Sequence, residues 1–475
     1  MAAIQAARLL SRRNYVLPGQ LLITELFFEV PKNYARPEAG TLKLFGRSVR
    51  KNERPITPFS AAELASKEKL PYLAYLEGGP GFGNRGPQNH ALTQVALNRG
   101  YQVLYLDYRG TGLSTPINAD SVLSQGDPKA QADYLKLFRA TNIVRDLEAV
   151  RLCLTEDFDE EKKAWSIFGQ SFGGFVSLTY LSKYPQSLRE AFLTGGLAPV
   201  KRTADEVYAA TYKKLIERNA AYYKKYPDDI ASVRRIAEHI QSQTKTPLPS
   251  GGNLTVPLFL TLGLAFGGHG GLDEVHSLVL RFATDLDQVG RLTHASLADF
   301  EAHISFDTHP IYAILHEAIY NTKRTGGPAS NWAAQRVGEA LAPFSWLANP
   351  ATFLRATPPS EPLYFSGEMV YPFHFDGTLG TELGRMREAA DILAATAEWD
   401  EDLYDEAQLR RNEVPVYAVS YVDDMYVDFE LARETAGLVK GIKVRETNGW
   451  YHDAVRSKAD EVFGVLFRMR DDCID

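Results

Sequence analysis

The segment Lys163-Ala-Trp-Ser-Ile-Phe-Gly-Gln-Ser-Phe-Gly-Gly174 sets a serine in the pattern Gly169-x-Ser171-x-Gly173, directly after an apolar run. A serine hydroxyl attacks a carbonyl only if its Oγ stands clear of its own backbone, beside a base and facing two N–H donors. A strand, a sharp turn and a helix supply that arrangement, and small residues at Gly169, Gly173 and Gly174 let the turn pack tightly. Residues 175–184 read as the helix, stopped by Pro185.

A nucleophile of this kind needs a histidine to take its proton and an acid to orient that histidine, in the chain order serine, acid, histidine. The acid follows a late strand and the histidine follows the last one. After the strand predicted at 414–420 comes Tyr421-Val-Asp-Asp-Met-Tyr426, and after the strand predicted at 442–446 comes Thr447-Asn-Gly-Trp-Tyr-His-Asp453. His452 is the only one of the ten histidines beyond residue 374 and is taken as the base. Asp424 is preferred to Asp423 as the acid because it stands further past the strand, where a side chain can turn toward the histidine loop. Asp423 is then a solvated turn residue or a helix N-cap, and Asp428, in the first turn of the next helix, is a third candidate. The oxyanion of an acyl transfer would rest on the Phe172 N–H and on an N–H of the loop Glu77-Gly-Gly-Pro-Gly-Phe-Gly83, with Gly79 the chosen donor and Gly78 and Pro80 lining the site. Phosphate binding by this loop is improbable because G-K-[ST] is missing.

The elements that must carry these residues follow from periodicity. Two β-rich stretches, 21–30 and 40–49, flank a turn-forming segment and predict an antiparallel pair. Short buried strands at 72–76, 101–106 and 190–194, alternating with helices, predict a mostly parallel sheet covered on both faces. From about residue 203 the strand signal nearly vanishes; 204–225 and 228–243 read as amphipathic helices, and helical segments run on to about 410. The fold class is therefore α/β, with core parts at 1–200 and 412–475 and a helical insertion at 201–411.

Bulk properties narrow the function. The 475 residues, 45% hydrophobic, can bury a large core. A net charge of −7 from 52 basic and 59 acidic residues gives no basic face for nucleic acid. Cys153 and Cys473 make no disulfide framework, and no apolar run reaches the length of a membrane span. Residues 1–13, Arg-rich and acid-free, read as a solvated tail, with an organellar transit peptide the weaker alternative. The expectation is a cytoplasmic protein with no nucleic-acid or membrane partner.

Three motifs together, Glu77-Gly-Gly-Pro-Gly81, Asp107-Tyr-Arg-Gly-Thr-Gly-Leu-Ser114 and Gly169-Gln-Ser-Phe-Gly-Gly174, resemble the His-Gly-Gly-Pro-Gly, Asp-Gln-Arg-Gly-x-Gly-x-Ser and Gly-Gly-Ser-Trp-Gly-x motifs of proline iminopeptidases. The resemblance covers residues 70–200 and 412–460 and a few points between. It implies an α/β-hydrolase core with a helical cap, a triad of Ser171, Asp424 and His452, and release of N-terminal proline from small peptides with a free N-terminus. It further implies that glutamates of the cap bind the substrate's α-amine, and Glu317 in Leu315-His-Glu-Ala-Ile-Tyr320 and Glu368 in Phe365-Ser-Gly-Glu-Met-Val-Tyr371 sit in matching contexts. The bland reading of either is a surface helix residue. Glu77, Tyr108 and Phe172 depart from the family's histidine, glutamine and tryptophan; Glu77 either adds a third negative charge near the amine or bridges to Arg109. No metal or organic cofactor is needed by this chemistry, and His316-Glu317 lacks the second histidine of a zinc motif. The competing readings are an esterase, amidase or thioesterase using the same triad, and a hydrolase-fold binding protein without catalysis.

Overall fold

Two apolar pentads, Tyr72–Leu76 and Gln102–Leu106, are buried along their whole length. Strands covered on both faces lose the in-out alternation of a half-buried sheet and read as continuous apolar runs. A computed structural model describes residues 4–53, 55–323, 329–378, 380 and 382–472 of the chain. Met1 to Ala3 and Cys473 lie outside them.

Nine strands form one sheet: β1 (Arg8–Leu17), β2 (Leu21–Pro31), β3 (Thr41–Lys51), β4 (Tyr72–Leu76), β5 (Gln102–Leu106), β6 (Trp165–Gln170), β7 (Leu188–Thr194), β8 (Val416–Tyr421) and β9 (Lys443–Thr447). Their order is β1-β2-β3-β5-β4-β6-β7-β8-β9. The first three strands pair antiparallel and β3 meets β5 antiparallel, whereas β5 through β9 run parallel. In a parallel sheet all C-terminal strand ends lie on one edge, so loops after β4, β6, β8 and β9 gather there.

One expectation is corrected. Residues 8–17 are not a tail but the edge strand β1, joined to β2 by a turn in which Gly19 and Gln20 both take positive φ, 84° and 60°. The strand is exposed along most of its length. Its arginines Arg8, Arg12 and Arg13 suit an edge that must not recruit another strand. The other sequence-predicted strands fall within about two residues of their observed bounds.

Helices α1 (Ala140–Leu154) and α2 (Phe172–Lys183) pack on each other beside the sheet. Between β7 and β8 the described residues form helices and loops, with one isolated antiparallel bridge, Pro247 to Asn253, as the exception. They begin with α3 (Ala204–Lys225), which carries a complete capping box between Thr203 and Glu206. Further along lie the short helices α4 (Pro310–Leu315) and α5 (Ala333–Glu339). After β8 come α6 (Phe429–Ala436) and, closing the chain, α7 (Ala459–Asp471). No described helix is long and apolar enough to cross a membrane.

A buried ion pair ties the β5 loop to this scaffold. Arg109 donates to both carboxylate oxygens of Asp146 on α1, at 2.7 and 2.6 Å, with both side chains all but removed from solvent. The remaining guanidinium hydrogens reach the carbonyls of Pro31, Lys32 and Leu137, and the Tyr34 hydroxyl donates to Asp146 at 2.9 Å. Arg109 thus bonds to Asp146, not Glu77. Every polar hydrogen is satisfied, which is the condition under which a buried pair is tolerated, and removing one partner strands the other charge. Asp146→Asn is expected to lower unfolding stability by about 3–5 kcal/mol, whereas Asp133→Asn, which breaks surface pairs with Lys129 and Lys136, should cost about 1 kcal/mol or less. Urea denaturation of the two variants side by side checks the difference.

Candidate active site

Ser171 connects β6 to α2 with φ 55° and ψ −124°, a conformation that costs a non-glycine residue free energy and survives only where its surroundings enforce it. The surroundings do so by contact. A Cβ at Gly173 would fall 2.0 Å from the Leu76 carbonyl oxygen, and one at Gly174 would fall 2.3 Å from that of Gly196. The glycines of the motif therefore let α2 start against the ends of β4 and β7, and the serine side chain is left at the strand edge.

Ser171 Oγ lies 2.8 Å from His452 Nε2, and His452 Nδ1 lies 2.8 Å from Asp424 Oδ2. Asp424 Oδ1 accepts the N–H groups of Tyr426 at 2.8 Å and Val427 at 3.1 Å, so the turn after β8 holds the carboxylate on both oxygens. Asp423 points elsewhere, 3.6 Å from Lys214 and partly in solvent, and Asp428 caps α6 through the Leu431 N–H. His452 stands in the loop after β9 with the Tyr426 ring edge-on at 4.8 Å. Burial alone would push the imidazole pKa down, but the charge and hydrogen bond of Asp424, with the charge of Glu368, hold it above its ordinary value. Such a histidine is a base well matched to a serine hydroxyl.

The loop after β4 lies beside this group because β4 and β6 are neighbours. A Cβ at Gly78 would meet Ser171 Cβ at 3.1 Å. Glu77 accepts the Gly78 N–H at 2.8 Å and faces Arg456 Nη2 at 3.4 Å, which links the loop to the segment just past His452. With Gly78 engaged, the N–H groups of Gly79 and Phe172 have no acceptor among the described residues. Asp107 fixes the far end of the loop, accepting from Asn84 N at 2.7 Å and Leu113 N at 2.9 Å.

The helical segment closes over the loop. Helix α4 packs so near Gly81 that a Cβ there would sit 2.8 Å from the Tyr312 nitrogen. Tyr312 in turn donates its hydroxyl to Glu368 at 2.8 Å. Burial raises the Glu368 pKa to about 7; the charge of His452 and the Tyr312 hydrogen bond oppose the rise, and Asp424 adds to it. Glu368 is half-buried and Glu317 buried; Glu317 accepts the Ala334 N–H at the start of α5 at 2.9 Å, while its Oε2 has no hydrogen-bond partner among the described residues. Burial raises its pKa, and the hydrogen bond from the Ala334 N–H opposes the rise. Neither glutamate is a surface helix residue. Burial first, then charges including those of both glutamates, pushes up the phenols of Tyr208 and Tyr320, so the two carboxylates act on one aromatic cluster. Next to it lies an apolar pocket lined by Pro80, Phe138, Phe172, Leu315, Ile319 and Tyr404.

Tyr312, Tyr426 and Arg456 had not been singled out for a role in the sequence. Tyr426 stands two residues past Asp424 and is marked by that nearness; Tyr312 and Arg456 act across 56 and 379 positions, and no local pattern marks them. Among the described residues no cluster of three or more His, Cys, Asp or Glu has metal-holding geometry.

Residues 73–230 match the family model of the alpha/beta hydrolase fold. The chain is 39% identical over 472 residues to the proline iminopeptidase aneH of Aspergillus aculeatus, covering 99% of each chain. It is also 39% identical over 462 residues to a proline iminopeptidase of Aeromonas sobria, covering 97% of this chain and 99% of that one. Similarity at that level over nearly the whole length of both relatives includes the helical segment as well as the sheet. The chain belongs to the proline iminopeptidase family of α/β hydrolases.

Proposed function

We propose that this protein is a serine aminopeptidase that releases N-terminal proline from peptides. The observation that carries the reading is the unbroken chain Ser171–His452–Asp424, with two contacts of 2.8 Å, beside a half-buried carboxylate, Glu368. A desolvated ionisable group without a cationic partner is costly, so Glu368 is best matched by a ligand that brings a positive charge. The protonated amine of a peptide N-terminus is such a ligand. Glu317 offers a second acceptor in its Oε2, and the apolar side chains of Pro80 and Phe172 border the site on the side where the pyrrolidine ring would lie.

With the amine held, Ser171 Oγ attacks the prolyl carbonyl carbon as its proton passes to His452 Nε2. The tetrahedral oxyanion rests on the N–H groups of Phe172 and Gly79. The imidazolium, stabilised by Asp424, gives the proton to the leaving nitrogen, the C–N bond breaks, and the shortened peptide departs. Water then attacks the prolyl ester with His452 as base, and the proton returns to Ser171 as proline leaves. Gly78 and Pro80 shape the wall beside the carbonyl.

A fluorophosphonate probe is expected to label Ser171, and Ser171→Ala is expected to lose the label and at least about 10⁴-fold in kcat on proline β-naphthylamide. Unlabelled protein with intact fold would favour a binding protein instead.

The glutamates separate a peptidase from an esterase. Glu368→Gln and Glu317→Gln should each lower kcat/KM on proline β-naphthylamide by about 10²-fold while sparing a neutral ester such as p-nitrophenyl acetate. Glutamine at 317 can still accept from Ala334, so that variant keeps its cap and removes only the charge. Unchanged naphthylamide turnover in both variants would rule out the amine-binding role.

The pH profile gives a third check. His452 must be neutral to accept the serine proton and Glu368 ionised to hold the amine, so kcat/KM should rise as pH increases through about 7, the two groups titrating as a coupled pair. Glu368 helps to raise the His452 pKa. Glu368→Gln should therefore move the acid limb to lower pH, and a limb that stays in place or moves up would contradict this electrostatic link.

A further inference from the structure

The reading above leaves the departing half of the substrate without a binding site, and a cleft of ≈ 780 Å³ opens from the outside onto His452 and Gln170. The leaving nitrogen must lie beside His452 Nε2, because it receives its proton there. The peptide beyond that nitrogen therefore enters the cleft whose wall contains His452, away from the pocket behind Phe172.

The charges along this cleft are unevenly matched. Asp453 accepts the His269 N–H at 2.9 Å and stands 2.6 Å from His269 Nδ1, and Glu274 lies 3.0 Å from His303 Nε2. Each lining carboxylate thus has a histidine of its own. The two arginines do not have equivalent partners. Arg85 is exposed and makes no ion pair or side-chain hydrogen bond among the described residues. Arg456, half exposed, has the buried Glu77, at 3.4 Å, as its one side-chain ion-pair partner among the described residues, and that carboxylate oxygen already accepts the Gly78 N–H. The two guanidinium groups are close enough to act on one side chain: after burial itself, their charges help to push His90 down to about 3.

We propose that Arg85 and Arg456 form a carboxylate-binding subsite for the C-terminus of short peptides, holding the α-carboxylate of the residue that follows proline. The inference rests on the aminopeptidase reading. A guanidinium pairs with a carboxylate in a planar two-point geometry that an amide or an aryl group does not reproduce. The amine on Glu368 and the carboxylate on Arg85 and Arg456 then fix a dipeptide at both ends across the scissile bond, with the sign of each contact complementary to the substrate's own charge.

The test compares prolyl-alanine with prolyl-alanine amide in the full-length enzyme, reading the acid-to-amide ratio of kcat/KM. The ratio is expected to be about tenfold in the unsubstituted enzyme and to fall toward one in Arg85→Gln and in Arg456→Gln, with most of the change in KM. Proline β-naphthylamide, which has no carboxylate, reports the aminopeptidase activity separately. No release of naphthylamine by the unsubstituted enzyme removes that reading and this subsite with it. Release of naphthylamine with a ratio near one, or a tenfold ratio that persists in both arginine variants, overturns the subsite alone.

Discussion

Everything at this site depends on a single imidazole meeting a hydroxyl on one nitrogen and a carboxylate on the other, at 2.8 Å each. The three side chains come from loops after β6, β8 and β9, so their meeting requires those strand ends to be in register on one sheet edge. A parallel sheet provides that, and the glycines at 173 and 174 set the last ångström by letting α2 begin against neighbouring backbone. The strain at Ser171 is the local cost of this placement. It is held by the packing of the sheet ends, and therefore by the core as a whole.

The electrostatics of the site are asymmetric in a way that matters for chemistry. Asp424 is satisfied on both oxygens, by His452 and by two N–H groups of its own turn, and so is free to stabilise imidazolium without needing a further partner. Glu368 has the Tyr312 hydroxyl as its one side-chain hydrogen-bond partner among the described residues, and desolvation brings its pKa to about 7. Two carboxylates near one histidine thus sit in different surroundings, one bonded to the imidazole and the other to a phenol hydroxyl. An esterase acting on neutral acyl groups would gain nothing from the second.

How much of this is legible in the sequence depends on the range of each interaction. The buried strands are legible because two-face burial leaves continuous apolar runs, and the elbow is legible because its steric demands fall within six residues. The choice of Asp424 over Asp423 is legible because a turn presents consecutive side chains in different directions. Strand β1 is not, since an exposed edge strand carrying three arginines has neither an apolar run nor clear alternation, and only the turn residues Pro18 and Gly19 mark its hairpin. The partner of Glu77 is illegible for another reason. Arg109 is the arginine of the following motif, yet it is captured by Asp146 on α1, and Glu77 is matched by a residue nearly four hundred positions away.

That substitution of partners bears on why a glutamate can stand in this loop. Glu77 binds the next residue's N–H, which takes Gly78 out of contention as an oxyanion donor and leaves the Gly79 N–H unengaged. The same carboxylate holds Arg456, seated four residues past His452, so the donor loop and the histidine loop are joined across the mouth of the site. An apolar residue at 77 would release both contacts at once. The departure from the family's histidine therefore leaves the serine, histidine and aspartate untouched while tying the outer wall of the site together by charge.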